Sequence, residues 1–159
     1  MIESFGIRSG LFSTVHAYTN TQSSTDQPMK DRRDSWAAAE NMSGAARAFS
    51  FIWKGLKITG KAYRVPTRTS SIAELNLLTE HQVTVEEVND AFRKAASVPP
   101  LKGVMDVLED EWASSCILGD SHSSIVDLPL TVVLANYYPW RPGMTTKWVT
   151  QRVWRRPPR

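Results

Sequence analysis

The stretch Ser13–Asp26, STVHAYTNTQSSTD, sets one histidine inside an apolar run and then turns almost wholly polar. The imidazole of His16 can be buried filler, a metal ligand or a proton acceptor, and residue type alone does not choose among them. A lone histidine in an apolar strand is more often a satisfied core residue than a catalyst. The chain's single cysteine, Cys116, lies a hundred residues further on. Taken one at a time, Thr19 reads as a turn or strand residue, Arg64 as a surface strand cation and Ser43 as a helix N-cap. His81 and His122 read as loop and turn residues. The acidic run Glu109–Glu111 could bind a cation, but a solvated turn is the simpler reading, and no histidine and carboxylate share metal-ligand spacing. No glycine-rich phosphate loop follows a strand, so no dinucleotide-binding unit is expected within the chain.

The elements that must position these residues belong to a chain of 159 residues, enough for one domain with a real core. Its 42% hydrophobic and 22% charged content is ordinary for a globular protein. One cysteine cannot close an internal disulfide, and the N-terminus lacks the basic start and long apolar run of a signal peptide. No stretch approaches the roughly 20 apolar residues needed to span a bilayer, so a cytoplasmic protein is expected. The formal charge of +3 is uneven. Residues 137–159 carry six basic residues, three of the six tryptophans and no acid; the rest holds 13 basic against 16 acidic residues. That break divides the chain into 1–136 and a basic tail, 137–159.

FSTVHAYT is rich in β-branched and aromatic residues and reads as a strand, followed by a polar loop from Asn20 to Asp34. The alanines at 37–39 and then GAARAFSFIW favour helix, with Gly44 as a weak point. KITGKAYRVP and SSIAELNLLTE read as strands. TVEEVNDAFRKAA is the clearest helix: Thr84 and Glu87 have capping-box spacing, and Val85, Val88, Phe92 and Ala95 form an apolar stripe. Short strand candidates follow at 104–108, 115–118, 124–127 and 130–134. The order implies an α+β fold, a mixed and largely antiparallel sheet with helices on one face.

Seven blocks carry a resemblance: FGIRSGLFSTVHAYTNTQ, KDRRDSWAAAENM, SGAARA, LKITGKAYRVPTRT, VTVEEVNDAFRKAA, PLKGV and GDSHSSIVD. In order and in register from about Phe5 to Asp127, they resemble the catalytic domain of glyceraldehyde-3-phosphate dehydrogenase. The resemblance implies an incomplete catalytic domain over 1–136, without the Rossmann domain that precedes it in the family. It implies that His16 pairs with a cysteine nucleophile, stabilising the thiolate and assisting proton transfer. Arg64 would clamp the substrate phosphate with Thr19, the three-residue step from His16 to Thr19 needing a turn. Ser43 would belong to the attacking-phosphate site, its amide near a helix start. The implied cofactor is NAD or NADP in the intact family enzyme, with none bound by this chain alone. The implied partners are a phosphorylated aldehyde and inorganic phosphate, in a homotetramer.

Departures from the family pattern shape further expectations. Its nucleophile lies in an SCTTNC-like stretch upstream of Met1, and Cys116 of WASSCILGD stands where relatives carry an acidic residue. His16 is thus a base whose partner is not in this chain. About four residues are missing before GAA, which shortens the loop presenting Ser43, and Trp36 replaces an arginine. The tail suggests a shifted reading frame. Back-translating PWRPGMTTKWVTQR with permitted codons and reading from the third base gives VAAWYDNEMGYAT, which contains the family's WYDNExGY signature with the asparagine that holds the nicotinamide. Each shifted codon inherits two of its three bases, so the agreement places a frame slip near Asn136 and predicts a disordered tail. The isolated chain is expected to be inactive. Two other functions compete: a binding module gripping nucleic acid through the Arg/Trp tail, against which the shifted frame weighs, and subunit capture through the loop 20–37.

Overall fold

The computed structural model describes residues 5–45, 57–134 and 145–151. Among these residues eight strands make one sheet: β1 (Ile7–Ala17), β2 (Ser43–Ala45), β3 (Lys57–Val65), β4 (Ser71–Thr79), β5 (Met105–Leu108), β6 (Ser124–Asp127), β7 (Val132–Val133) and β8 (Thr145–Gln151). Their order is β2-β3-β1-β4-β8-β6-β5, with β7 also beside β8. Two pairings, β1 with β3 and β5 with β6, are parallel, and the others are antiparallel. One α-helix is present among the described residues, α1 (Val85–Ser97). The fold is α+β with a mixed sheet, as its residue pattern predicts.

The central strand is β1, which runs beside β3 from Ser9↔Lys57 to Ala17↔Val65 and beside β4 from Ile7↔Thr79 to His16↔Ser71. Gly10 lets it approach β4 closely. A Cβ there would sit 2.7 Å from Leu77 Cδ2 and 3.0 Å from the Asn76 carbonyl oxygen. Leu77 belongs to the core, so it has little room to give way.

Helix α1 begins where the capping-box residues place it. Thr84 Oγ1 accepts the Glu87 N–H at 3.1 Å, and a Glu87 carboxylate oxygen accepts the Thr84 N–H at 2.8 Å. Such a cap contributes about 1 kcal/mol. The apolar stripe then buries Val88 completely against Leu77, Met105, Val126 and Leu128, with Phe92 and Ala95 packed alongside. This cluster ties the helix to β4, β5 and β6.

Several local expectations are corrected. Ala37–Ala39 make a single turn, closed where the Asn41 side chain and backbone both donate to the Ala37 carbonyl. The chain then enters β2, so Ser43 is a strand residue and not a helix N-cap; the later part of GAARAFSFIW lies outside the described residues. Residues 115–118 form turns, with the Cys116 and Leu118 N–H groups bonded three residues back to Ala113 and Ser115. Within the tail expected to be disordered, Thr145–Gln151 instead forms β8, paired to β4 over residues 72–78. Its β-branched and aromatic content suits an extended backbone, a signal independent of how the segment arose.

Asp127, at the end of β6, is 5% exposed and one of its carboxylate oxygens has no hydrogen-bond partner. Burial pushes its pKa up, against the Leu130 N–H that favours the charge, with Glu111 adding repulsion. The folded state therefore holds its proton to higher pH than the unfolded chain does. This group's contribution to stability falls as pH rises from the ordinary carboxylate value through the raised one. Asp127→Asn is expected to stabilise the protein relative to the parent at about pH 7 and to lose that advantage toward about pH 4. Urea denaturation of both proteins at several pH values checks this; a difference independent of pH would show that Asp127 does not titrate abnormally.

Candidate active site

Sheet register assembles the site. Ser43 on β2 is opposite Arg64 on β3, Arg64 is beside His16 on β1, and His16 is opposite Ser71 on β4. Directly paired residues share a face, so these four side chains stand in one row across four neighbouring strands. Beyond Ala17 the chain turns, with the Gln22 N–H donating to the Thr19 carbonyl at 2.9 Å. That turn carries Thr19 back to the row, where its Oγ1 accepts from Arg64 Nη1 at 3.0 Å. The four residues singled out in the sequence are therefore brought together.

His16 is half-buried, and its Nδ1 is 2.9 Å from Ser71 Oγ. When Nδ1–H donates to that hydroxyl, Nε2 keeps its lone pair and becomes the proton-accepting atom. Burial, and then the Arg64 guanidinium, lower the His16 pKa below the ordinary imidazole value. Both causes favour the neutral ring, so at neutral pH it is a base ready to accept a proton. Arg64 offers its remaining N–H groups beside the Thr19 hydroxyl, a donor pair suited to a tetrahedral oxyanion.

Ser43 also borders an open cleft of about 470 Å³ lined by Arg32, Arg33, Trp36, Asn41, Met42 and Gly44. Its lining thus brings two guanidinium groups, an indole and a hydroxyl to one surface. Sequence reasoning missed Ser71 as the partner of His16. The two are 55 positions apart and meet only through the β1–β4 register, so no local motif announces the pair. Ser70 was missed likewise. It takes a left-handed φ of 74° and donates from its hydroxyl to the Ser114 carbonyl at 3.2 Å, docking the turns around Cys116 near the row's edge. Cys116 itself is exposed, and the partner of His16 is Ser71, not this thiol. His81 is exposed, its carbonyl accepting from Thr79 Oγ1.

The mixed α+β sheet suits the catalytic-domain class that the sequence blocks resemble, and comparison with known proteins agrees on the family. The family profile described as glyceraldehyde 3-phosphate dehydrogenase, C-terminal domain, matches residues 1–150. The chain is 47% identical over 141 residues to a glyceraldehyde-3-phosphate dehydrogenase of Borreliella burgdorferi, covering 84% of this chain and 42% of that protein. It is 46% identical over 137 residues to one from Streptomyces coelicolor, covering 82% and 41%. Against glyceraldehyde-3-phosphate dehydrogenase 1 of Bacillus cereus it is 42% identical over 138 residues, covering 83% and 41%. The chain belongs to the glyceraldehyde-3-phosphate dehydrogenase family, an oxidoreductase family, and spans about two-fifths of the length of the curated relatives it matches.

The environment of His16 predicts its titration. Imidazole NMR is expected to give His16 a pKa below the ordinary 6.5. Arg64→Gln should raise it partway while burial, the larger cause, keeps it below that value. A His16 titrating at or above 6.5 would show that the row across β2, β3, β1 and β4 is not formed.

Proposed function

We propose that this chain is part of the catalytic domain of a phosphorylating glyceraldehyde-3-phosphate dehydrogenase, with His16 as its base, Arg64 and Thr19 as its substrate-phosphate clamp and Ser43 at its attacking-phosphate site. The hydrogen bond from Arg64 to Thr19, beside His16 in the same row, carries the reading. In the family reaction a cysteine adds to the aldehyde of glyceraldehyde 3-phosphate, hydride passes to NAD or NADP to leave a thioester, and inorganic phosphate displaces the cysteine to give 1,3-bisphosphoglycerate. In it, His16 Nε2 takes the proton of a thiol and holds it near the forming thioester. A lowered pKa suits that task, because the ring is uncharged until the thiol ionises. Arg64 and Thr19 fix the phosphate end of the aldehyde, so its carbonyl meets the nucleophile in one orientation. Ser43, two strands from His16, holds the incoming phosphate where the acyl group will be.

The connection from β4 to α1, residues 80–84, contains no glycine, and the helix start is already closed by Thr84 and Glu87. This reading therefore assigns NAD or NADP to the intact family enzyme and none to this chain. It likewise assigns the homotetramer and a cytoplasmic setting to the whole protein. No helix among the described residues is long and apolar enough to cross a membrane. The tail 137–159 is read as the product of a frame slip near Asn136, supported by the recovery of WYDNExGY in the shifted frame.

Two measurements test the reading. Inorganic phosphate and glyceraldehyde 3-phosphate should bind the full chain in calorimetry, and Arg64→Gln should weaken both by about tenfold or more, the worth of a charged hydrogen-bonded pair. With NAD added, the chain alone should show no reduction; turnover that His16→Ala abolishes would overturn the assignment of the nucleophile to another segment. Separately, resequencing the locus across Asn136 is expected to restore WYDNE in continuous frame or to show the inserted or deleted base. A frame without any such discontinuity would overturn the slip.

A further inference from the structure

Strands β5 and β6 run parallel, with Asp106 opposite Ile125, so the connection between them must travel back along the sheet. Its end is anchored where the Ser123 and Ser124 N–H groups both donate to the Val104 carbonyl, at 2.8 and 3.3 Å. That anchor lays Asp120 and His122 against Asp106. Asp120 Oδ1 accepts the His122 backbone N–H at 2.7 Å and is 2.8 Å from His122 Nδ1. Asp106 Oδ2 faces the same Nδ1 at 3.8 Å, too long for a hydrogen bond, while Asp106 Oδ1 accepts the Val107 N–H at 2.9 Å. One nitrogen and two carboxylate oxygens from three side chains thus converge within 4.8 Å of one another.

We propose that Asp106, Asp120 and His122 bind a divalent transition-metal ion of the zinc class, which clamps the β5–β6 connection onto β5. Tetrahedral zinc holds its N and O ligands at 2.0–2.2 Å, which sets neighbouring ligand atoms about 3.3–3.5 Å apart. The observed 2.8 and 3.8 Å from His122 Nδ1 straddle that separation, each within about half an ångström of it, and all three ligand atoms lie within 4.8 Å of one another. Two carboxylates neutralise the dication, and the imidazole nitrogen selects zinc over calcium or magnesium, which prefer all-oxygen sites. The backbone N–H bonds to both carboxylates orient them as outer-shell partners do in metal centres. The His122 and Asp120 side chains are 26% and 31% exposed, which leaves a path for the ion and room for water as fourth ligand. This site is separate from the row containing His16 and does not depend on the dehydrogenase reading.

The test uses the full chain and zinc alone, titrated against a chromophoric chelator. One zinc per chain is expected, with affinity reduced at least about tenfold by either His122→Gln or Asp106→Asn. Cys116→Ser and His81→Gln should leave it unchanged. Cobalt in place of zinc should give the visible bands of a four-coordinate site without a thiolate charge-transfer band. Asp106→Asn can still accept the Val107 N–H, and circular dichroism verifies its fold, so it reads the site even where His122→Gln is unstable. Zinc should also raise the parent's melting temperature more than that of Asp106→Asn. Absence of saturable binding, binding indifferent to both variants, or a thiolate band lost with Cys116→Ser would each overturn the proposal.

Discussion

Everything in the candidate active site rests on the register of β1 between its two neighbours. His16 has no fixed relation to Arg64 or Ser71 until the strand is locked, because side chains alternate faces along it. A slip of one residue against β4 would turn His16 to the opposite face and put Val15 or Ala17 in its place. Gly10 is one device that resists the slip, since its close approach to Leu77 and Asn76 tolerates no side chain. The packing of Leu77 under α1 then makes the register part of the core. The geometry of the candidate site at one end of the sheet is thus secured by a contact six residues away along the same strand.

Arg64 serves two ends at once. Its guanidinium holds the Thr19 hydroxyl, and its charge helps keep the neighbouring imidazole neutral. An oxyanion bound at Arg64 would offset that charge and favour protonation of His16. Binding of an oxyanion beside Arg64 and the basicity of His16 would therefore be coupled through one side chain, in the direction that makes the ring a stronger base.

Much of this was legible in the sequence, and the exceptions share a cause. The capping box at Thr84 and Glu87, the stripe through Val88 and Phe92, and strands β1, β3, β4 and β6 follow from local periodicity and composition. Ser71, Ser70 and the meeting of Asp106 with His122 do not, because strand pairing brings together residues that sequence keeps apart. The sequence reading found no metal-ligand spacing around His122, because Asp106 reaches it only through the pairing of β5 with β6. Ala37–Ala39 misled because helix propensity is a weak prior, and here Ser23, Asp26 and Asn41 claim the backbone groups a helix would need. At β8 the composition that pointed to a shifted frame concealed an ordinary tendency toward extended structure.

The place of β8 has a consequence for the order in which the protein is made. It pairs with β4 on one side and with β6 and β7 on the other, joining β2-β3-β1-β4 to β6-β5. It is also encoded after every strand it joins. During synthesis the facing edges of β4 and β6 stay unpaired with each other's group, linked by α1 and its core contacts, until β8 emerges. Closure between these two groups of strands therefore has to follow the emergence of β8. Until then β4 presents a bare edge to any extended segment nearby, including the same strand of another copy.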